Sequence, residues 1–312
     1  MLLFSSNKTK FVTIIYLIYK ILILNFFSLQ VILSNDTFTA TINLKGAELV
    51  SFKNHVTNKE YIWEGNPEFW GKHAPILFPI VGTLKDNSFI HEGIKYELPR
   101  HGFARDMDFE IMDSFKNKIL LSLKYDDETL KMYPFKFKLL IYFNLSDKSL
   151  YIFSEVVSYD EVDIPFNFGL HPAFALKENF ENYSLQFEKQ ETLKCFALED
   201  NLLSDKNYFL PLENKKLPLT YSLFKNDALI FKTLESKEIT ILENNKKFIK
   251  LSFFKFQNLG IWTKQNAPFI CIEPWAGYSD SIHSNQNLYE KEGIQILAPK
   301  QSKNYQFIIE IL

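Results

Sequence analysis

Cysteine is nearly absent: Cys195 and Cys271 are the only two in 312 residues, and they form no CxxC pair. This removes zinc ribbons and disulfide frameworks from consideration and fits a reducing compartment. Neither sign of charge dominates. Lys and Arg number 35 against 37 Asp and Glu, a formal net charge of -2, and no dense basic block occurs. Nothing therefore points to nucleic acid as a partner. The chain also has no GxSxG and no HExxH, so neither a Ser-His-acid hydrolase nor a zincin has its sequence signal. No Gly/Ser/Pro-rich linker divides it and no internal repeat recurs, which favours one domain. With 46% hydrophobic and 23% charged residues it has the composition of a globular protein.

One long apolar run is present. Phe11 to Leu33 reaches the length of a membrane span, follows Lys8 and Lys10, and is interrupted by Lys20, Asn25 and Gln30. No small-x-small cleavage site follows it. Residues 1–30 are therefore expected to be either an apolar extension or a membrane anchor, with membrane contact only through residues 11–33. Residues 31–312 form the single domain. The expected location is cytoplasmic, with anchoring through that segment as the alternative.

Downstream the pattern is β. Phe38–Leu44 and Glu48–Lys53 read as a hairpin around Lys45-Gly46-Ala47. Ile119–Tyr125, Phe135–Phe143, Leu150–Tyr159 and Tyr305–Leu312 alternate apolar and polar residues. Further strands are expected at Tyr183–Phe187, Ala228–Phe231, Phe248–Phe256, Gly260–Thr263, Phe269–Ile272 and Gly293–Leu297. Asp127–Met132 is at most a short helix, stopped by Pro134. Pro67–Trp70 reads as one helical turn behind a capping Asn66. Pro75 and Pro79 make Ala74–Val81 an irregular segment or a sheet edge. Many short strands with almost no helical periodicity indicate an all-β, antiparallel β-sandwich.

Three short stretches could carry chemistry. Ile272-Glu273-Pro274-Trp275-Ala276-Gly277 places Glu273 where a strand is expected to end. The plainest reading is a surface Glu, but Pro274 fixes the chain and Trp275 offers a stacking face. Apolar walls would raise the pKa of Glu273 toward that of a useful base. In Gly169-Leu170-His171-Pro172, His171 is held between a flexible and a rigid residue and could donate a proton near neutral pH. Arg100, His101 and Arg105 read either as a charged hairpin loop or as donors to an oxygen-rich ligand. His101, His171 and Glu273 are metal-ligand types without metal-site spacing, so no metal is expected. A glycosidase would need opposed carboxylates, for which Asp227 and Glu273 could serve, leaving both histidines without a role.

The segments HGFAR at 101–105, GLHPAF at 169–174 and IEPWAG at 272–277 resemble the signature segments of the aldose 1-epimerase (mutarotase) family, in its LacX-like branch. KGAEL at 45–49, HAPILFPIVG at 73–82 and Asn226-Asp227-Ala228-Leu229 support the likeness, which runs in the family's order over residues 31–312. It implies a galactose mutarotase-like β-supersandwich whose cleft holds an aldose, a small-molecule sugar, with no cofactor. By motif, Glu273 matches the family's general base and His171 its general acid. His101 and Arg105 match substrate-binding positions, and Asp227 an acid that holds sugar hydroxyls. Thr83 stands where relatives usually carry a substrate-binding Arg, and Arg100 where they often have Gln. Arg100 is therefore expected to replace part of the missing charge. Neutral hexoses and hexose phosphates both fit, the oligomeric state stays open, and a non-catalytic sugar-binding protein is the alternative.

Overall fold

The computed structural model describes residues 30–312. Two antiparallel sheets dominate. The larger has nine strands in the order Lys216–Pro218, Tyr183–Phe187, Glu238–Glu243, Lys246–Phe254, Ser302–Ile311, Ser149–Ser158, Phe137–Ser146, Lys118–Lys124 and Glu110–Ser114. The smaller runs Leu202–Leu210, Leu193–Glu199, Leu229–Phe231, Asn258–Trp262, Phe269–Ala276, Phe168–Leu170 and Ile76–Leu77, with Ala173–Ala175 also paired to Phe269–Ala276.

The alternating segments become strands with one face in the core. Phe137, Leu139, Ile141, Phe143 and Leu145 are buried while the residues between them are less so, the period-2 signature of a half-buried strand. Aromatic rings join the two layers: Phe168 stacks on Tyr305 at 5.1 Å and Phe78 packs on Phe137 at 4.8 Å. Full burial of each such ring contributes roughly 1.5–3 kcal/mol, so the abundant Phe serves packing. Asp127–Met132 is a helix with Asp126 and Thr129 bonded reciprocally at its start. Pro67–Trp70 is a hydrogen-bonded turn in which the Trp70 and Phe69 N–H groups donate to the Asn66 carbonyl. Ile76–Leu77 does form a sheet edge.

Two readings change. Glu273 does not end a strand: Phe269–Ala276 runs unbroken through Pro274 and is buried along its whole length. Pairing on both sides supplies the reason. On one side Phe269–Ala276 pairs with Ala173–Ala175 and with Phe168–Leu170 in one continuous register, which sets Pro172 opposite Ile272 and His171 opposite Glu273. The Ile272 N–H donates to the Pro172 carbonyl at 3.3 Å. Pro274 falls opposite Leu170 in that register, where its missing N–H leaves one ladder bond unmade, and on the other side it pairs with Leu259.

The second change concerns the apolar run. Gln30–Ser34 is a strand paired antiparallel to Phe38–Asn43, so Gln30 joins residues 31–33, already expected in the domain, and the end of the apolar run is strand. The rest of the expected extension or anchor lies outside the described residues. Among the described residues no helix is long and apolar enough to cross a membrane.

Candidate active site

The cross-strand register positions His171 opposite Glu273. Its backbone N–H donates to the Pro75 carbonyl at 3.1 Å, and the Ala173 N–H donates to the His73 carbonyl at 2.9 Å. The imidazole is thus fixed between two short strands and not on a free loop. It stacks on Trp70 with centroids 4.7 Å apart and meets Trp262 edge-on at 6.0 Å. Its Nε2 lies 3.2 Å from Oε2 of Glu273.

His101, Arg100, Arg105 and Asp227 converge on the same place. All six residues singled out from the sequence line one cavity of about 340 Å³, with Trp70, Trp262, Trp275 and Ala228 completing its wall. The HGFAR segment is docked by its backbone: the Phe103 and Ala104 N–H groups both donate to the Phe78 carbonyl. Gly102 has φ +71°, and a Cβ there would strike the Phe78 carbonyl. Gly102→Ala is therefore expected to lower unfolding free energy by about 2 kcal/mol or more, read by urea melts.

The Gly82 N–H donates to His101 Nδ1 at 3.1 Å, while Arg100 Nε approaches His101 Nε2 at 3.3 Å. A neutral imidazole accepts at only one nitrogen. The two donors therefore compete for one acceptor nitrogen, and the other ring nitrogen carries the proton. Burial, then the charges of His171, Arg100 and Arg105, hold His101 well below the usual histidine range, which keeps it neutral. Arg100 is anchored by donation from Nη1 to Asn201 Oδ1 at 2.9 Å.

Electrostatically the centre is a buried acid beside a buried base. Burial pushes the Glu273 carboxyl well up, against the opposing pull of Arg100 and reinforced by Asp227. Burial also depresses His171, to about 3, and the nearby arginines add to that. At 3.2 Å the two groups are close enough for their titrations to be coupled. Neither Glu273 Oε2 nor His171 Nδ1 has a hydrogen-bond partner in the protein. Buried polar atoms normally have one, which marks both atoms as unsatisfied.

Trp275 is not free to stack on a ligand with its whole face. It is 4% exposed and lies flat across two neighbouring strands, over Gly169 and Gly260. A Cβ at Gly169 would come within 2.7 Å of the indole, and one at Gly260 would also strike it. Trp70, Trp262, Gly260 and Asn201 escaped the sequence reading. Scarcity was the available signal for the tryptophans: the chain has only four, and three of them line this cavity. Thr83 is not on the cavity wall. Its N–H donates to Ser279 Oγ at 3.1 Å, and its carbonyl accepts from the Asp280 N–H.

Residues 30–310 match the family model for aldose 1-epimerase. The chain belongs to the aldose 1-epimerase family. It is 33% identical over 298 residues to the plasmid-encoded protein LacX of Lactococcus lactis, covering 90% of this chain and 98% of that one. Among solved structures, a galactose mutarotase related enzyme from Lactobacillus acidophilus superposes with TM-score 0.85 at 32% identity, covering 91% of this chain and 97% of the other. A galactose mutarotase-like protein from Lactobacillus casei gives TM-score 0.86 at 31% identity, covering 91% and 100%. Family and fold together support a sugar epimerase or mutarotase-like role, with a small sugar as ligand.

Proposed function

We propose that this aldose 1-epimerase family member interconverts the α and β anomers of an aldose by acid–base ring opening, with Glu273 as base and His171 as acid. The observation that carries this reading is the buried pair, 3.2 Å apart, at the wall of a cavity rich in donors and tryptophan. Anomerisation needs the C1 hydroxyl proton removed and the ring oxygen protonated. Both oxygens are bonded to the same carbon, so an adjacent base and acid reach both. Glu273 takes the hydroxyl proton, His171 gives one to the ring oxygen, and the C1–ring oxygen bond breaks to leave the aldehyde. Rotation about C1–C2 and reclosure return both protons and give the other anomer. The pair ends with the single proton it began with.

Burial alone favours neutral His171 beside protonated Glu273. The reactive arrangement, imidazolium beside carboxylate, has the same proton count. Reaching it needs a shift across the pair and no uptake from solvent. Arg105 and Arg100 present donors to sugar oxygens beside His101, and Asp227 presents an acceptor.

The test is polarimetry of freshly dissolved α-aldoses, neutral and 6-phosphorylated. Acceleration above the spontaneous rate supports the reading. Saturable binding without acceleration would replace it with a sugar-binding protein. A second prediction concerns Arg100: Arg100→Gln should raise KM about tenfold through loss of a charge-assisted hydrogen bond, with kcat little changed. An unchanged KM would show that Arg100 makes no contact with the sugar.

A further inference from the structure

The mechanism leaves one group at this centre unused. Cys271 precedes Glu273 by two residues on the same strand, so both side chains lie on one face of the sheet. Ligand atoms of His171, Cys271 and Glu273 all lie within 4.8 Å of one another. The three residues are 9%, 0% and 1% exposed, yet His171 and Glu273 open onto the cavity, which gives a path from solvent. Glu273 Oε2 has no hydrogen-bond partner in the protein.

We propose that His171, Cys271 and Glu273 bind a borderline divalent cation of the zinc type, and that the bound cation blocks the acid–base pair. One imidazole nitrogen, one thiolate sulfur and one carboxylate oxygen suit zinc, cobalt or cadmium. Magnesium and calcium, which want oxygen ligands, do not match the set. Three protein ligands leave a fourth tetrahedral position for water or another small ligand. Coordination releases two protons to solvent, that of the thiol and the one held by the Glu273–His171 pair. It occupies a nitrogen of the acid and an oxygen of the base together, so the cation opposes proton transfer and does not assist it. The site itself stands on geometry alone; its inhibitory consequence rests on the proposed ring-opening chemistry.

Cobalt(II) is the probe, added to the full chain after a chelator has been applied and removed. The expected result is a thiolate-to-cobalt charge-transfer band in the near ultraviolet with intense tetrahedral bands in the visible, all lost in Cys271→Ala. Cys195, the other thiol of the chain, serves as the internal control: a band that persists in Cys271→Ala overturns the assignment. So does the absence of a thiolate band in the unaltered protein. In mutarotation assays zinc should inhibit the unaltered protein at concentrations at least tenfold lower than it inhibits Cys271→Ala. Equal inhibition of both removes Cys271 from the site. Should the alanine variant fail to fold, Cys271→Ser, which keeps shape and removes the thiolate, takes its place with the same two readouts. The cobalt spectrum needs no turnover, so it separates failure of the cation site from failure of the proposed activity.

Discussion

Glu273→Gln is expected to slow mutarotation by about 100- to 10,000-fold, the range that a positioned general base supplies, with the fold intact. Gln keeps the shape and can still hydrogen-bond a sugar, so KM should change far less than kcat. Stability gives an independent check. The folded pKa of Glu273 is raised above the ordinary value of 4.5 by burial. A raised pKa contributes stability that is complete below the unfolded value and is lost as pH rises through the folded one. The unaltered protein should therefore lose stability with rising pH in that window, and Glu273→Gln should lose less. Urea midpoints near pH 5 and near pH 8 measure the difference. A variant that keeps full activity sinks the assignment of Glu273 as base.

His171→Asn is expected to cost a similar factor, because Asn fills the space and hydrogen-bonds but cannot carry a proton. Here the pH dependence has the opposite sign. Burial depresses His171 from 6.5 to about 3, so its contribution is present above 6.5 and is lost as pH falls through about 3. The unaltered protein should lose stability over that acid window more steeply than His171→Asn. Equal slopes would mean that the imidazole is hydrated in the folded state. The double variant should be little slower than either single one, because groups that act as a unit are not additive. A multiplicative loss would show that the two residues act independently.

Much of the fold could be read from the sequence because alternation survives wherever one strand face is solvated, as along Phe137–Ser146. The hairpin of Leu193–Glu199 and Leu202–Leu210 could not. The second strand is largely exposed, so its residues carry no burial period. Gln30–Ser34 was hidden for the opposite reason, since its apolar residues merged with the run before them. Glu273 was placed at a strand end because Pro274 reads as a stop. Only the pairing on both sides of Phe269–Ala276, which no local pattern reveals, shows why the strand continues. The six candidate residues were legible through their motifs. Trp70 and Trp262 carry no motif and were lost among abundant aromatics.

Asn201 sits at the tip of that hairpin and holds Arg100, whereas Glu273 and His171 are locked by strand pairing in the buried interior. On the proposed mechanism, chemistry and selectivity are built on separate pieces of chain. Lengthening or re-sequencing the turn at Asp200 and Asn201 would then retune how a sugar's periphery is gripped without disturbing proton transfer. An insertion beside His171 would have no such freedom. Under that proposal, substrate preference in this scaffold could drift while the reaction itself stays fixed.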